Sequence, residues 1–458
     1  MSSRPIAGRP SRRTFIRTTS VGLAARAGSA VIDAVMPARM RTVAEAADVA
    51  PFSKRFAGTT IRLSMFDTAF PRGLRGLVPE FTELTGINVD FELLGFTVFL
   101  QRSDLELSGG TGAVDAMTLV FAQSGRWIGA GWPEDLTPFI KGSNFDIDDL
   151  LPGPLAAMRR GEKIYGIPWL ADSQLMLYRK DLMSTPPDTF DELLETAKRI
   201  HSPSVAGYMP AGKAGLNWVF PTFLYGFGGK FFANPPTDLR PELGRPEAIQ
   251  AADYWAGRLL RNYGVPGSAN FEDTEGIATM QQGRAAMWIH SLGQLTGALD
   301  RQKSTVADKV AFAAPPRGPA GRFPQVASHG LMIPMASKKK EAAWEFIRWA
   351  TSRETMRRVA LDSQHAAVTR ASVLNDPEFK KKYRLAGSDV PALHLAALTA
   401  AGAGYMSYRT VPEFPAVTER VVIALSATAS GQKSAADAMT AANGEILRLL
   451  ERAGHKVR

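Results

Sequence analysis

Between residues 60 and 93 the hydrophobic period changes twice, from two to about 3.6 and back to two, and this restricts the fold more than any other feature. Thr60-Ile61-Arg62-Leu63-Ser64-Met65-Phe66 alternates polar and apolar residues and predicts a strand. Leu74, Leu77, Val78, Phe81 and Leu84 then share one helical stripe, and Gly86 stands where a left-handed stop needs no Cβ. Residues 87–93 alternate again. Strand, helix and strand in succession imply a right-handed crossover and a largely parallel sheet, hence an α/β fold. Residues 115–121 predict a third strand, and residues 164–168 a short extended segment ended by its proline. Thr189 and Glu192 form a T-x-x-E capping box before a helix whose apolar face is Phe190, Leu193, Leu194, Ala197 and Ile200. From 207 to 241 aromatic rings sit among glycines and prolines, a loop-rich stretch whose rings are either core under a long loop or ligand contacts.

A chain of 458 residues has room for two or three domains. The absence of cysteine excludes disulfides, thiolate-held zinc, iron–sulfur clusters and a thiol nucleophile. No run of about 18 apolar residues could span a bilayer. A formal charge of +10 suggests nucleic acid until it is located. Residues 1–46 hold eight arginines against Asp33 and Glu45, so six of the ten net charges sit there. Lys338-Lys339-Lys340 and Lys380-Lys381-Lys382 adjoin helical runs without interleaved aromatics, and read as solvated helix ends.

Ser11-Arg12-Arg13-Thr14-Phe15-Ile16-Arg17 resembles the twin-arginine export motif, followed by a mildly apolar stretch at 18–25 and an A-x-A site at Ala44-Glu45-Ala46. Arg26 and Asp33 interrupt the apolar region, a departure from the usual pattern. The resemblance implies an export leader over 1–46 and a periplasmic protein; a basic tail without structure is the competing reading.

Downstream, Gly161-Glu162-Lys163-Ile164-Tyr165-Gly166-Ile167-Pro168-Trp169, then Leu177-Tyr178-Arg179-Lys180-Asp181-Leu182, then Pro186-Pro187-Asp188-Thr189-Phe190-Asp191-Glu192-Leu193 resembles the family 1 extracellular solute-binding proteins of ABC importers, the family containing the maltose-binding protein. Met280-Gln281-Gln282-Gly283-Arg284-Ala285-Ala286-Met287 is similar to its "F-x-x-G-K-A-A-M" step, and Gly431-Gln432-Lys433-Ser434-Ala435-Ala436-Asp437-Ala438 to its closing helix. Ser328-His329-Gly330-Leu331-Met332-Ile333-Pro334 also finds its counterpart in order. Arg179 and Phe190 depart from the usual asparagine and tryptophan.

The resemblance implies a two-lobed periplasmic-binding-protein fold, each lobe a mostly parallel sheet flanked by helices with a ligand cleft between them. Lobe 1 would comprise 58–170 plus 316–350 and lobe 2 would comprise 171–315 plus 351–458. The chain would cross between them near 168–174, 315–319 and 349–355. It implies a function as the periplasmic substrate-binding component of an ABC transporter, which captures a carbohydrate or polyol by hinge closure and delivers it to inner-membrane permease subunits. A monomer is expected, with no cofactor, no metal and no nucleic acid.

A sugar or polyol offers C–H faces and hydroxyls, so its site needs flat rings beside hydrogen-bonding groups. Asp67, at the end of the first strand, and Gln123, past the third, fall at the family's ligand-facing loops; a helix cap and surface exposure are the respective alternatives. Trp169 and Asp172 flank the first crossing, and Trp169 has a core position as its alternative. Trp218 matches a family aromatic that stacks on sugar rings. The family's other stacking tryptophan falls on Gly293, leaving Trp288 or His290 as substitutes, with Trp288 within a strand and open to a core reading. His329 could donate to a hydroxyl or cap a loop, and Tyr405, Tyr408 and Phe414 are candidates for the remaining wall. The competing class is a secreted hydrolase with a carboxylate pair in the same cleft. No H-E-x-x-H, G-x-S-x-G or Walker motif signals catalysis. A sensor's binding protein would share all these features.

Overall fold

The computed structural model describes residues 52–210, 212–268, 271, 273–363 and 366–457; the leader expected at 1–46 lies outside them. Seven strands form the main sheet: β1 (Thr60–Phe66), β2 (Asn88–Leu94), β3 (Ala116–Leu119), β4 (Ile167–Arg179), β5 (Met287–Ser291), β6 (Val310–Ala313) and β7 (Val326–Met332). Their order is β6-β4-β7-β3-β1-β2, with β5 also on β4. The helices that frame them are α1 (Ala69–Thr85), α2 (Phe96–Gly109), α3 (Phe190–Ile200), α4 (Gly212–Gly226), α5 (Lys340–Ala350), α6 (Arg353–Ser363), α7 (Val390–Ala401), α8 (Phe414–Ala429) and α9 (Ala435–Arg452).

The opening strand–helix–strand unit is parallel, with Thr60 opposite Asn88 and Phe66 opposite Leu94. α1 buries Phe70, Leu74 and Phe81, whereas Leu84 is 44% exposed and lies off the packed face. Gly86 ends the helix at φ +71°, its N–H donating to the Thr82 carbonyl at 2.7 Å, and a Cβ there would meet that of Ala57 at 2.6 Å. β3 also runs parallel to β1. The pairs around β4 run antiparallel.

β4 is longer than its sequence suggests. Pro168 was expected to end an extended segment, yet the strand continues to Arg179. The irregular register of β7 between His329 and Gly330 lies opposite Leu170 and Pro168, which is how the ladder tolerates a residue without an N–H. The first half of β4 pairs with β7 (Ser173 opposite Val326), and the second half with β5 and β6 (Gln174 opposite Ser291, Met176 opposite Ala313). One continuous strand thus passes from one set of partners to the other at Ser173–Gln174.

The capping box forms as spaced: Thr189 Oγ1 accepts from the Glu192 N–H at 3.2 Å, and Glu192 Oε2 accepts from the Thr189 N–H at 3.3 Å. α3 buries Phe190, Leu193, Leu194 and Ala197, each large side chain contributing about 1.5–3 kcal/mol of transfer free energy. The stretch read as a loop from 207 to 241 instead contains α4. Phe220, Phe223 and Leu224 are all buried there, and a helix apolar on every side shows no 3.6-residue stripe.

Two further differences concern chain path. Residues 315–319 stay with α3 and α4: the Arg317 carbonyl accepts from the Phe190 N–H, and the Ala320 N–H donates to the Gly226 carbonyl. The return to β7 comes only at Gln325–Val326. Residues 353–401, expected on the second lobe, pack instead beside α1, β4 and β7. Arg358 holds Glu80 of α1 with two bonds of 2.6 and 2.8 Å, and the buried Arg370–Asp149 pair (3.1 Å) anchors the next segment to the 146–150 loop. α8 and α9 then join the core built by α3, α4 and β5.

Candidate ligand-binding cleft

Parallel strands gather their following loops at one end, and here those of β1 and β3 open onto a cleft of about 1410 Å³. Phe66 ends β1, Phe96 begins α2, and Phe121 and Gln123 follow β3. β4 contributes Leu170 and Asp172, β7 contributes Ala327 and His329, and α4 contributes Trp218. His290 and Gly293 border it from the end of β5.

The rings form a continuous wall. Phe96 meets Phe66 at 5.4 Å, Phe66 meets His329 at 4.9 Å, His329 meets Phe121 at 5.4 Å, and Phe121 meets Trp218 at 6.0 Å, mostly edge to face. Trp218 is fixed through its backbone, whose carbonyl accepts from Gln174 Nε2 at 2.6 Å. Gln174 is fully buried, and its Oε1 accepts from the Gln325 N–H at 3.1 Å and from Thr222. The site is therefore tied to the point where β4 changes partners.

Burial among these rings drives the His329 pKa down to about 3, so at neutral pH it presents an uncharged imidazole, and its Nδ1 finds no partner within the protein. His290 Nδ1 accepts from the Ser291 N–H at 2.8 Å, and its Nε2 lies 3.4 Å from Asp273 Oδ1. Asp172 accepts from the Gly293 N–H at 3.1 Å, so a backbone amide meets this carboxylate at the cleft border. Gln123 Oε1 accepts from Arg126 Nε at 3.3 Å.

Six of the eleven residues singled out from sequence line one cleft: Gln123, Asp172, Trp218, His290, His329 and Phe414. Five do not, among them Tyr405, whose hydroxyl donates to the Pro324 carbonyl. Asp67 lies between two lining residues, but its carboxylate turns to Arg72 with bonds of 2.6 and 2.9 Å; the Arg72 hydrogen bond holds its pKa below the usual carboxylate value. Nor does it cap α1, whose N-cap is Thr68. Trp169 is fully buried against Phe70, 5.4 Å between rings. Trp288 is 1% exposed in the middle of β5. Tyr408 is buried beneath Phe231 and Phe414, its hydroxyl donating to Gln325 Oε1, and burial pushes its pKa up to about 12.

Sequence reasoning missed Phe66, Phe96, Phe121 and Arg409. The strand-end rule names the first and third, since they stand at or just after the carboxyl ends of β1 and β3. Arg409 follows the tyrosine that was chosen. Its guanidinium sits 5.0 Å from the Phe121 ring, 5.4 Å from Trp218 and 5.0 Å from Tyr408. Among the described residues no group of three or more His, Asp or Glu side chains is placed to hold a metal ion.

Residues 68–357 match the sequence profile of the family described as bacterial extracellular solute-binding protein. The chain belongs to this family. The mannitol-binding protein of Pseudomonas aeruginosa is 28% identical over 395 residues, covering 81% of this chain and 88% of that one. The erythritol/L-threitol-binding protein of Mycolicibacterium smegmatis is 25% identical over 354 residues, 72% of this chain and 74% of its own length. The crystal structure of an Agrobacterium vitis ABC-transporter solute-binding protein with bound D-mannitol superposes with a TM-score of 0.70 at 25% identity, over 87% of this chain and all of the other. The α/β two-lobed solute-binding fold is thereby established for this solute-binding protein, and its relatives are binding proteins, not enzymes. Among the described residues no helix is long and apolar enough to cross a membrane.

Proposed function

We propose that this solute-binding protein captures a small polyol or sugar in the cleft and hands it to the permease of an ABC importer. One observation carries the reading: a wall of flat rings from Phe96 to Trp218 shares a single cleft with the amide of Gln123, the carboxylate of Asp172 and the neutral imidazole of His329. Rings cover the C–H faces of a polyhydroxylated chain, while amide, carboxylate and imidazole exchange hydrogen bonds with its hydroxyls. The named ligands of the mannitol- and erythritol/L-threitol-binding relatives support the same class.

Capture works by closure. The two lobes part at Ser173–Gln174, at Gln325–Val326 and within 402–413, and the solute favours the closed form because it touches both sides at once. Such a protein acts as a monomer outside the cytoplasm, exported through its twin-arginine leader; undiminished export of a chain carrying Arg12→Lys and Arg13→Lys would count against that route. Titration calorimetry and thermal unfolding against polyols, mono- and disaccharides, amino acids and peptides test the function. A polyol or sugar at about 100 times its dissociation constant adds about 2.7 kcal/mol to the folded state and is recovered unchanged. Stabilisation by an amino acid or peptide alone, or release of products from a glycoside, would overturn the reading.

A further inference from the structure

The charges bordering the cleft are unequally satisfied. Asp300 pairs with Lys303 (3.7 Å), Glu419 with Arg420 (2.7 Å) and Asp273 with His290 (3.4 Å), while Asp172 accepts from the Gly293 amide. Arg409 has no such partner. Among the described residues no carboxylate lies within 4.0 Å of its guanidinium. Its Nε is buried without an acceptor, and Nη2 reaches Gln325 Oε1 at a long 3.5 Å, an oxygen already taken by the Tyr408 hydroxyl, which itself lies beside the guanidinium. Four rings surround it: Phe121, Trp218, Tyr408 and, at 6.0 Å, Phe414.

This is a poor arrangement for an empty site and a good one for a particular ligand. Arginine cannot lose its proton, so burial does not neutralise it, and ring faces replace only part of the lost hydration. A guanidinium among aromatics offers a planar fork of N–H donors that matches a carboxylate bidentately. Lys382, also on the cleft border, adds positive potential; its amine donates to the Leu361 carbonyl and lies 6.0 Å from the Tyr383 ring.

We propose that the solute is a polyhydroxy carboxylic acid: a polyol chain along the aromatic wall, with a terminal carboxylate on Arg409. The inference rests on the polyol-or-sugar reading above and narrows it to the acid form. Neutral polyols occupy the same cleft but leave the guanidinium with hydroxyl acceptors only, which make weaker bonds than an ionised oxygen.

Matched pairs differing only in the oxidation of one end test it: D-mannitol with D-mannonate, ribitol with ribonate, and D-glucitol with D-gluconate, titrated calorimetrically into the full chain and into Arg409→Gln. In at least one pair the acid binds about tenfold or more tighter than its polyol, with the advantage shrinking as salt rises. Arg409→Gln removes that advantage, weakening the acid by about tenfold or more beyond whatever loss its polyol suffers. Unliganded melting curves of the two proteins confirm that the variant folds; should it not, Arg409→Lys, which keeps the charge and loses the fork, reduces the acid's advantage without abolishing it. Polyols binding as well as their acids in every pair, or both members weakened equally by Arg409→Gln, would overturn the acid assignment while leaving the function intact. Binding of neither member of any pair, with binding of an unrelated solute, would sink both.

Discussion

Removing the indole of Trp218 tests the site most directly, because the residue is held by its backbone and presents its ring to the cleft. Gln174 Nε2 bonds the Trp218 carbonyl at 2.6 Å, so Trp218→Ala keeps that anchor and deletes only the ring. The ring's own partners are few on the cleft side: Phe121 at 6.0 Å, edge to face, and the Arg409 guanidinium at 5.4 Å. Truncating an aromatic that stacks on a ligand costs about 1–3 kcal/mol of binding, a 5- to 150-fold rise in dissociation constant. Calorimetric titration with the tightest polyol, sugar or acid found for the parent chain reads this directly. Trp218→Phe retains a flat face of smaller area, and its loss should be less than half that of alanine in free energy. Melting of the unliganded variants separates binding from folding, since α4 packs into the core that holds Phe220 and Phe223. An unchanged affinity in Trp218→Ala, with a normal unliganded melt, refutes the stacking argument and removes the ring from the site.

Two further tests probe the supports of the cleft. His329 has a folded-state pKa of about 3 against an unfolded value of 6.5, so the unfolded chain takes up the proton first. Its contribution is therefore fully present above about pH 6.5 and is lost as pH falls towards 3, at a slope of up to about 1.4 kcal/mol per pH unit. His329→Gln should flatten the difference in stability between pH 6.5 and 4.5 relative to the parent in denaturant titrations; parallel profiles would show that the imidazole does not titrate on unfolding. Gln174→Leu leaves the Trp218 carbonyl and the Gln325 N–H without their side-chain partner in a buried place, at about 1–3 kcal/mol for each group. Urea unfolding should show that loss and calorimetry a weaker ligand, whereas full stability would mean that water replaces the amide.

How much of this was legible depended on how each element is buried. The opening α/β unit could be read because α1 shows one face to the core and another to solvent, and β1 alternates exposed and buried residues from Thr60 to Leu63, so polarity marks the period. β4 shows no such contrast: every residue is buried except Asp172 and Tyr178, which are half-buried. In a strand covered on both faces the composition does not say which side a residue takes. Trp169 and Asp172 both flank the crossing, yet they are three positions apart and project from opposite faces of β4; only Asp172 meets the cleft. The order of the sequence family motifs located the crossing, and the period of two then separates the two candidates.

β5 poses a different difficulty. Trp288 and His290 are two apart and share a face, so alternation cannot separate them. What does is depth along the strand: Trp288 pairs with Leu177 inside the sheet, whereas His290 pairs with Leu175, one step from the end where the cleft begins. The same reasoning explains Tyr408 and Arg409, neighbours in a single turn at Ser407–Thr410 that bends too sharply for either period to apply. The tyrosine points into the core, the arginine into the ring cluster beside the cleft. A binding site at strand ends and single turns is therefore fixed by where elements stop, and periodicity, which describes how they continue, carries the least information there. The cleft's flat wall follows from the same fact: Phe66, Phe96 and Phe121 stand at the end of a strand, the first turn of a helix and the start of a loop, where a large ring can face open space without breaking a repeating pattern.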